Sequence, residues 1–326
     1  MPANLPPTYH EAEERFRAAK SPDDKIAALE EMLRIIPKHK GTEKLQAGIK
    51  ARIAKFKLQP QPKGARGHSH HIPKEGAGQI ALVGPPNGGK SALVGRVTHA
   101  KPEVAAYPFT TREAQPGMMP YEDIAFQLID LPPLSEVHVE HWVFDLIRTA
   151  DMVWIVVPHS DSLDGLELVK RMLADKHIEL TPADVPPSSE EHEGWAKKPA
   201  LLVVTGRDRP SASENLEILN ELLEEPWPTI SVSSLDGQGT DELAARTFEA
   251  MRVIRVYTKQ PGKPPDRDQP FTLRTGATVG DLAQTIHKDL LQTLKFARVW
   301  GSSAFDGQTV QRDHILVDQD VVEIHA

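Results

Sequence analysis

Between residues 79 and 253 the chain alternates short apolar runs with stretches of helical period. The runs at residues 79–83, 124–129, 152–157, 200–205 and 229–232 are rich in Ile, Val and Leu and too short for helices, so they predict strands. Residues 90–98, 139–149, 163–175, 214–224 and 241–253 carry apolar residues at helical spacing and predict helices. Strand–helix alternation implies a parallel sheet covered on both faces, because each parallel strand needs a crossover. The acidic, Pro-rich stretch 181–198 reads as an exposed loop.

The flanks follow other patterns. Residues 8–58 read as helical: Ser21-Pro22-Asp23-Asp24 is a helix start, followed by Ile26, Leu29, Leu33 and Ile36, and Pro37 closes the segment. Leu45, Ile49, Ile53 and Phe56 form a second stripe. Residues 59–78 are rich in Pro, Gly and His and predict a linker. His68, His70 and His71 lie there; no carboxylate cluster adjoins them, so a tether is preferred to a metal site. From residue 254 strands are predicted at 253–257, 271–273, 297–300 and 321–324, around a helix opened by Thr278-Val279-Gly280-Asp281, a capping-box-like start. Strands around one helix make a compact α+β module. The division is 1–58, 59–78, 79–253 and 254–326.

Charge adds one feature to this plan. Between Lys38 and Arg66 nine Lys/Arg face one acid, Glu43, in a chain of net charge −8. That asymmetry fits a basic surface for an anionic polymer or, equally, a solvated helix face plus tether. The absence of cysteine from the sequence excludes disulfides, thiol catalysis and zinc-thiolate sites. Residues 1–20 are charged, without the apolar run of a secretory signal, and the apolar run at 152–158 is too short to span a bilayer. A soluble, cytoplasmic protein without membrane partners is the expectation.

The sharpest chemical signal is Gly84-Pro85-Pro86-Asn87-Gly88-Gly89-Lys90-Ser91, which fits G-x-x-x-x-G-K-[ST] between a predicted strand and a predicted helix. Backbone N–H groups of such a loop, including that of Ala92 at the helix start, converge on phosphate oxygens. Lys90 is expected to reach the β- and γ-phosphates and the Ser91 hydroxyl to ligate Mg²⁺. Asp130, ending an alternating strand, is the expected carboxylate behind that ion. Thr205-Gly206-Arg207-Asp208 and Ser231-Val232-Ser233-Ser234 end two further strands. A carboxylate at Asp208 can accept both the N1–H and the exocyclic amine of guanine, a donor pair that adenine lacks.

On these residues the sequence resembles the Obg superfamily of translation-associated GTPases, most closely its developmentally regulated GTP-binding (DRG-like) branch. The phosphate loop is similar to the family's G-F-P-N-V-G-K-S-T-L, and Tyr107-Pro108-Phe109-Thr110-Thr111 is similar to its switch I motif. By that match Thr111, or less favourably Thr110, would close on Mg²⁺ and the γ-phosphate. Asp130-Leu131-Pro132-Pro133 resembles D-x-P-G, and the segment through Ser233 and Ser234 resembles the base-contacting loop. Arg255-Val256-Tyr257-Thr258-Lys259 and Val299-Trp300-Gly301 look like the family's TGS domain, a ubiquitin-like β-grasp fold. The resemblance implies GTP or GDP as ligand, and ribosome, RNA or a protein partner met through the basic helices and the TGS domain. It gives Asn87 as the loop asparagine of potassium-activated relatives, so K⁺ joins Mg²⁺ as a candidate cofactor, with Lys90, Thr111 and Asn87 as the catalytic set.

The sequence also departs from the family. Pro133 stands at the glycine whose N–H senses the γ-phosphate, and proline has no N–H. Thr205 and Gly206 replace the Asn and Lys of N-K-x-D, removing an aliphatic stem from the base. Leu134 stands where many small GTPases place a water-orienting Gln, and His138 and His141 are alternatives for that task. Three readings follow: a slow GTPase, a non-hydrolysing nucleotide-bound adaptor presenting the TGS domain, and ATP use, which Asp208 argues against.

Overall fold

In the computed structural model the chain divides into two units, residues 1–69 and 70–326. It describes residues 72–98, 114–136, 139–185 and 194–326, with scattered positions between 29 and 52. In the first unit Leu29, Met32, Leu33 and Ile35 are helical, as are Gln46, Gly48, Ile49, Lys50 and Arg52. Leu29, Met32, Ile36 and Ile49 are buried and Leu33 is half-buried, whereas Ile26, Leu45, Ile53, Phe56 and the histidines of the tether lie outside the described residues.

The second unit opens with a seven-stranded sheet in the order β2-β3-β1-β4-β6-β5, with β7 also paired to β6. Its strands are β1 (Gln79–Val83), β2 (Gln115–Tyr121), β3 (Ile124–Asp130), β4 (Met152–Pro158), β5 (Ile178–Pro182), β6 (Ala196–Thr205) and β7 (Thr229–Val232). Five helices cross between them: α1 (Lys90–Val97), α2 (His141–Thr149), α3 (Ser162–Ala174), α4 (Ala212–Leu222) and α5 (Thr240–Met251). Strand β1 is buried along its whole length because β3 and β4 pair with it in parallel on both sides. Its alternate residues feed two cores: Ala81 and Val83 join Ile155 and Leu202, while Ile80 and Leu82 join Trp154 and Leu93.

Two strands of this sheet were not expected. Strand β2 pairs antiparallel with β3 at the sheet edge; its Gln-Pro-Gly-Met-Met-Pro-Tyr sequence conceals it, since proline is tolerated only where no ladder donor is needed. Strand β5 pairs with the first half of β6, and β7 with the second half. The expected loop at 181–198 is therefore corrected at both ends, which are strand, and residues 186–193 lie outside the described ones.

One residue, Arg252, separates α5 from a second, five-stranded sheet ordered β11-β10-β12-β8-β9. Its strands are β8 (Val253–Thr258), β9 (Asp266–Arg274), β10 (Phe296–Trp300), β11 (Gln308–Val310) and β12 (Asp320–His325), with helices α6 (Val279–Ile286) and α7 (Lys288–Thr293). Strands β8 and β12 pair in parallel at its centre, and Leu282 of α6 packs with Val256, Val299 and Val322. The capping box forms: Thr278 Oγ1 accepts from the Asp281 N–H at 3.3 Å, and the Asp281 carboxylate accepts the Thr278 N–H at 2.7 Å.

The two sheets meet at the tip of the β2–β3 hairpin. Arg255, 4% exposed, donates to Asp318 through Nε at 3.0 Å and Nη2 at 2.6 Å. Its Nη1 reaches Asp123 at 3.0 Å and also Glu122, both at the hairpin turn, and Tyr257 Oη donates to Asp123. A buried guanidinium needs such partners on every side, because an unpaired charge there is costly.

Candidate nucleotide site

The loop between β1 and α1 is built to bring backbone close to a ligand. A Cβ at Gly84 would collide with the carbonyl of Val156 on neighbouring β4, so only glycine fits that approach. Asn87 follows with φ of 59° and Gly89 with φ of 88° before Lys90 opens the helix. Lys90 is 6% exposed, and its Nζ donates to the carbonyls of Gly84 and Pro85 at 3.0 Å each. Ser91 Oγ donates to Asp130 Oδ2 at 2.5 Å across the β3 edge.

A cavity of about 610 Å³ lies against this loop, lined by residues 87–92 and by Asp130 through Pro133. Within it Asp130 Oδ1 is buried with no hydrogen-bond partner. Burial lowers the proton affinity of Lys90, with the Asp130 charge opposing, and burial raises that of Asp130 against the Ser91 bond and the Lys90 charge. Both groups are thus short of solvation, and a bound polyphosphate with a divalent cation supplies the missing countercharges. Ser91 and Asp130 are hard oxygen donors, the type that Mg²⁺ takes from a protein while phosphates and waters complete its shell. Among the described residues no cluster of three or more His, Cys, Asp or Glu forms a metal site.

A second cavity, about 510 Å³, shares Asn87, Gly89 and Ala92 with the first and continues to the ends of β4, β6 and β7. Asp208 and Ser234 line it, and Ser234 Oγ is buried without a partner. The Asp208 side chain is 20% exposed, with Arg209 Nε 3.7 Å from its carboxylate. Two expected contacts turn elsewhere. Thr205 Oγ1 donates to the Gly88 carbonyl at 2.9 Å, so it braces the phosphate loop from the strand beside it. Ser233 Oγ accepts the N–H groups of Leu235 and Asp236 at 3.2 and 3.3 Å and shapes its own turn. Arg96 of α1 then fastens that turn through the Asp236 carbonyl at 2.5 Å.

Gly206 has φ of 89°, and the place of a Cβ there is 2.7 Å from Cδ2 of His159. His159 follows β4, lines the second cavity and meets the Asn215 amide at 3.0 Å through Nδ1. No motif contains it; its place just beyond the carboxyl end of a central parallel strand, where ligands of such sheets bind, is the signal that finds it. Leu134 is fully buried in the core, and its N–H donates to the Gly84 carbonyl at 3.0 Å, so it anchors its segment rather than facing the cleft. Pro133 is exposed at the cleft wall. His141 is exposed in the first turn of α2. Residues 107–111, with Thr110 and Thr111, and His138 lie outside the described residues.

Comparison with known proteins agrees with this geometry. Residues 79–205 match the family model described as 50S ribosome-binding GTPase, and residues 254–326 match that of the TGS domain. An uncharacterized GTP-binding protein of Methanocaldococcus jannaschii is 31% identical, covering 93% of this chain and 92% of its own. Developmentally-regulated G-protein 1 of Arabidopsis thaliana is 27% identical over 92% of this chain and 90% of its own. The structure of the Schizosaccharomyces pombe YchF GTPase, 12% identical, superposes with a TM-score of 0.54 over 78% of this chain and 99% of that one, a likeness of fold. No helix among the described residues is long and apolar enough to cross a membrane. With a P-loop GTPase domain followed by a TGS domain, the chain belongs to the DRG-like branch of the Obg superfamily of GTP-binding proteins.

Proposed function

We propose that the protein is a slow, Mg²⁺-dependent GTPase that engages the ribosome or another RNA. The supporting observation is the pair of cavities meeting along residues 87–92, each with one buried oxygen lacking a partner, Asp130 Oδ1 and Ser234 Oγ. On this reading residues 84–92 hold the phosphates, Ser91, Asp130 and Thr111 hold Mg²⁺, and Asp208 with Ser234 reads guanine. The ion would bridge phosphate oxygens and neutralise charge as it develops. Lys90 would bind the phosphates from the other side, and Asn87 would hold K⁺ should that ion take part.

Slow turnover follows from two residues of the segment after Asp130. Pro133 brings no N–H to the cleft, and Leu134 is committed to the core, so neither orients water. The basic stretch from Lys38 to Arg66 and the TGS domain are the proposed contacts for ribosome or RNA, in a chain divided at 58, 78 and 253. Pro133 also favours a second reading, a nucleotide-bound adaptor that does not hydrolyse.

Binding isotherms for GDP, GTP and ATP on the full chain test the first step: guanine nucleotides bind and ATP does not compete. Equal affinity for ATP would sink the guanine assignment. Single-turnover hydrolysis with K⁺, with and without ribosomal particles, then separates the readings, since absence of turnover in every condition leaves only the adaptor.

A further inference from the structure

The base end of the cleft contains one aromatic ring that no motif predicts. Among the described residues lining that cavity, His159 alone is aromatic. The Asn215 amide nitrogen lies 3.0 Å from His159 Nδ1, a hydrogen bond that fixes one edge of the ring. The His159 N–H donates to the Thr205 carbonyl at 3.0 Å, which ties the residue to the strand end carrying the degenerate base motif. The ring therefore has its backbone, one edge and its side against Gly206 all fixed by neighbours.

Gly206 explains why the ring is there. Its left-handed backbone and the 2.7 Å approach of His159 Cδ2 leave no room for a side chain at 206. The motif's lysine stem is absent, and the imidazole fills the volume beside that position. A purine held edge-on by Asp208 and Ser234 needs a flat apolar surface along its face, which an imidazole supplies and a glycine does not.

We propose that His159 is a base-binding residue, forming the wall of the guanine slot in place of the missing lysine stem, with Asn215 setting the angle of its ring. This rests on the guanine-nucleotide reading above. A wall contributes affinity without reading the edge of the base, so His159 adds to binding of every purine nucleotide while Asp208 selects among them.

The test measures GDP, IDP and inorganic tripolyphosphate binding to the full chain and its variants. His159→Ala weakens GDP and IDP by a common factor of about tenfold and leaves tripolyphosphate unchanged. His159→Phe restores most of the loss, because a planar ring returns, whereas His159→Gln does not. Wild-type affinity in His159→Ala overturns the inference, as does a loss shared equally by tripolyphosphate, which marks a distorted loop. Failure of the guanine reading itself is visible in the wild-type protein, as binding of tripolyphosphate without preference for GDP.

Discussion

The two halves of the nucleotide cleft reach a workable geometry by different routes. In the phosphate loop every fixed motif position carries the expected residue, with Lys90 buried against the loop carbonyls and Ser91 on Asp130; the departure of this half is Pro133 in the segment after Asp130. In the base half two of the three specified motif residues are replaced, yet a cavity is still formed beside Asp208 and Ser234. Thr205 gives its hydroxyl to the phosphate loop, and His159 fills the space beside Gly206. Phosphate binding depends on backbone amides held at fixed φ, which tolerates few substitutions. A base face needs only a surface of suitable shape, which several residues can provide. Intact motif and intact function are therefore more tightly linked at one end of the cleft than at the other.

The sharpest test of that asymmetry is Lys90→Ala. It removes the one ammonium that lines the phosphate cavity among the described residues, so affinity for GDP, GTP and tripolyphosphate falls by about a hundredfold or more, from about 3 kcal/mol of charge-assisted hydrogen bonding. Calorimetric titration with all three ligands checks it; a loss confined to the two nucleotides would contradict the division into halves.

A comparable effect, on stability rather than binding, belongs to the junction that braces the phosphate half. Strand β3 carries Asp130 at one end and the hairpin tip held by Arg255 at the other. Removing that buried guanidinium in Arg255→Ala takes the cation from Asp318 and Asp123, which stay partly solvated, and lowers unfolding stability by about 2–3 kcal/mol. Urea denaturation reads this directly, and an unchanged midpoint would show that the junction does not depend on Arg255 and rests on its other contacts, among them the Arg274–Asp151 ion pair at 2.9 Å.

Asp208→Asn probes the other half. Its carboxylate is the only acid lining the base cavity among the described residues. Replacing it by an amide turns one accepted hydrogen bond into a clash of donors, costing about 2 kcal/mol or roughly thirtyfold in GDP affinity, with tripolyphosphate unaffected. Competition between GDP and ATP on the variant shows whether discrimination has gone with it.

How much of this was legible from the residues depends on what each relies upon. The central strands were readable because β4 and all of β1 after Gln79 are apolar, and the phosphate loop because its spacing is the chemistry. Strand β2 was hidden by Pro116 and Pro120, whose missing N–H groups matter little at an edge. Leu134 read as an absent catalytic glutamine; only its burial and its N–H on Gly84 reveal an anchor. His159 was illegible for a related reason: it acts on Gly206, forty-seven positions away, across two strands that pair only in the folded sheet.

Pro133→Gly sharpens the phosphate half by restoring a missing donor. One charge-assisted hydrogen bond to a γ-phosphate is worth about 1.5–3 kcal/mol, from which the added freedom of glycine subtracts up to ~1 kcal/mol. With that full subtraction the preference for GTP over GDP rises by about twofold to thirtyfold. Paired isotherms measure the ratio, and no change would mean that the segment's position, fixed by Leu134, keeps residue 133 out of reach.

The smallest effect tests the boundary between the halves. Thr205 belongs by sequence to the base motif, but its hydroxyl bonds the Gly88 carbonyl at 2.9 Å and sits 3.3 Å from that of Val157. Thr205→Ala deletes a buried neutral hydrogen bond worth about 1 kcal/mol, so affinity falls roughly fivefold. Because the deleted bond holds the loop and not the base, the loss should be the same for GDP and for tripolyphosphate. Thr205→Ser keeps the hydroxyl and should bind both ligands nearly as the parent does. A loss seen with GDP alone would return Thr205 to the base half, and with it the inference that structure has reassigned the residue from reading the ligand to bracing the loop beneath it.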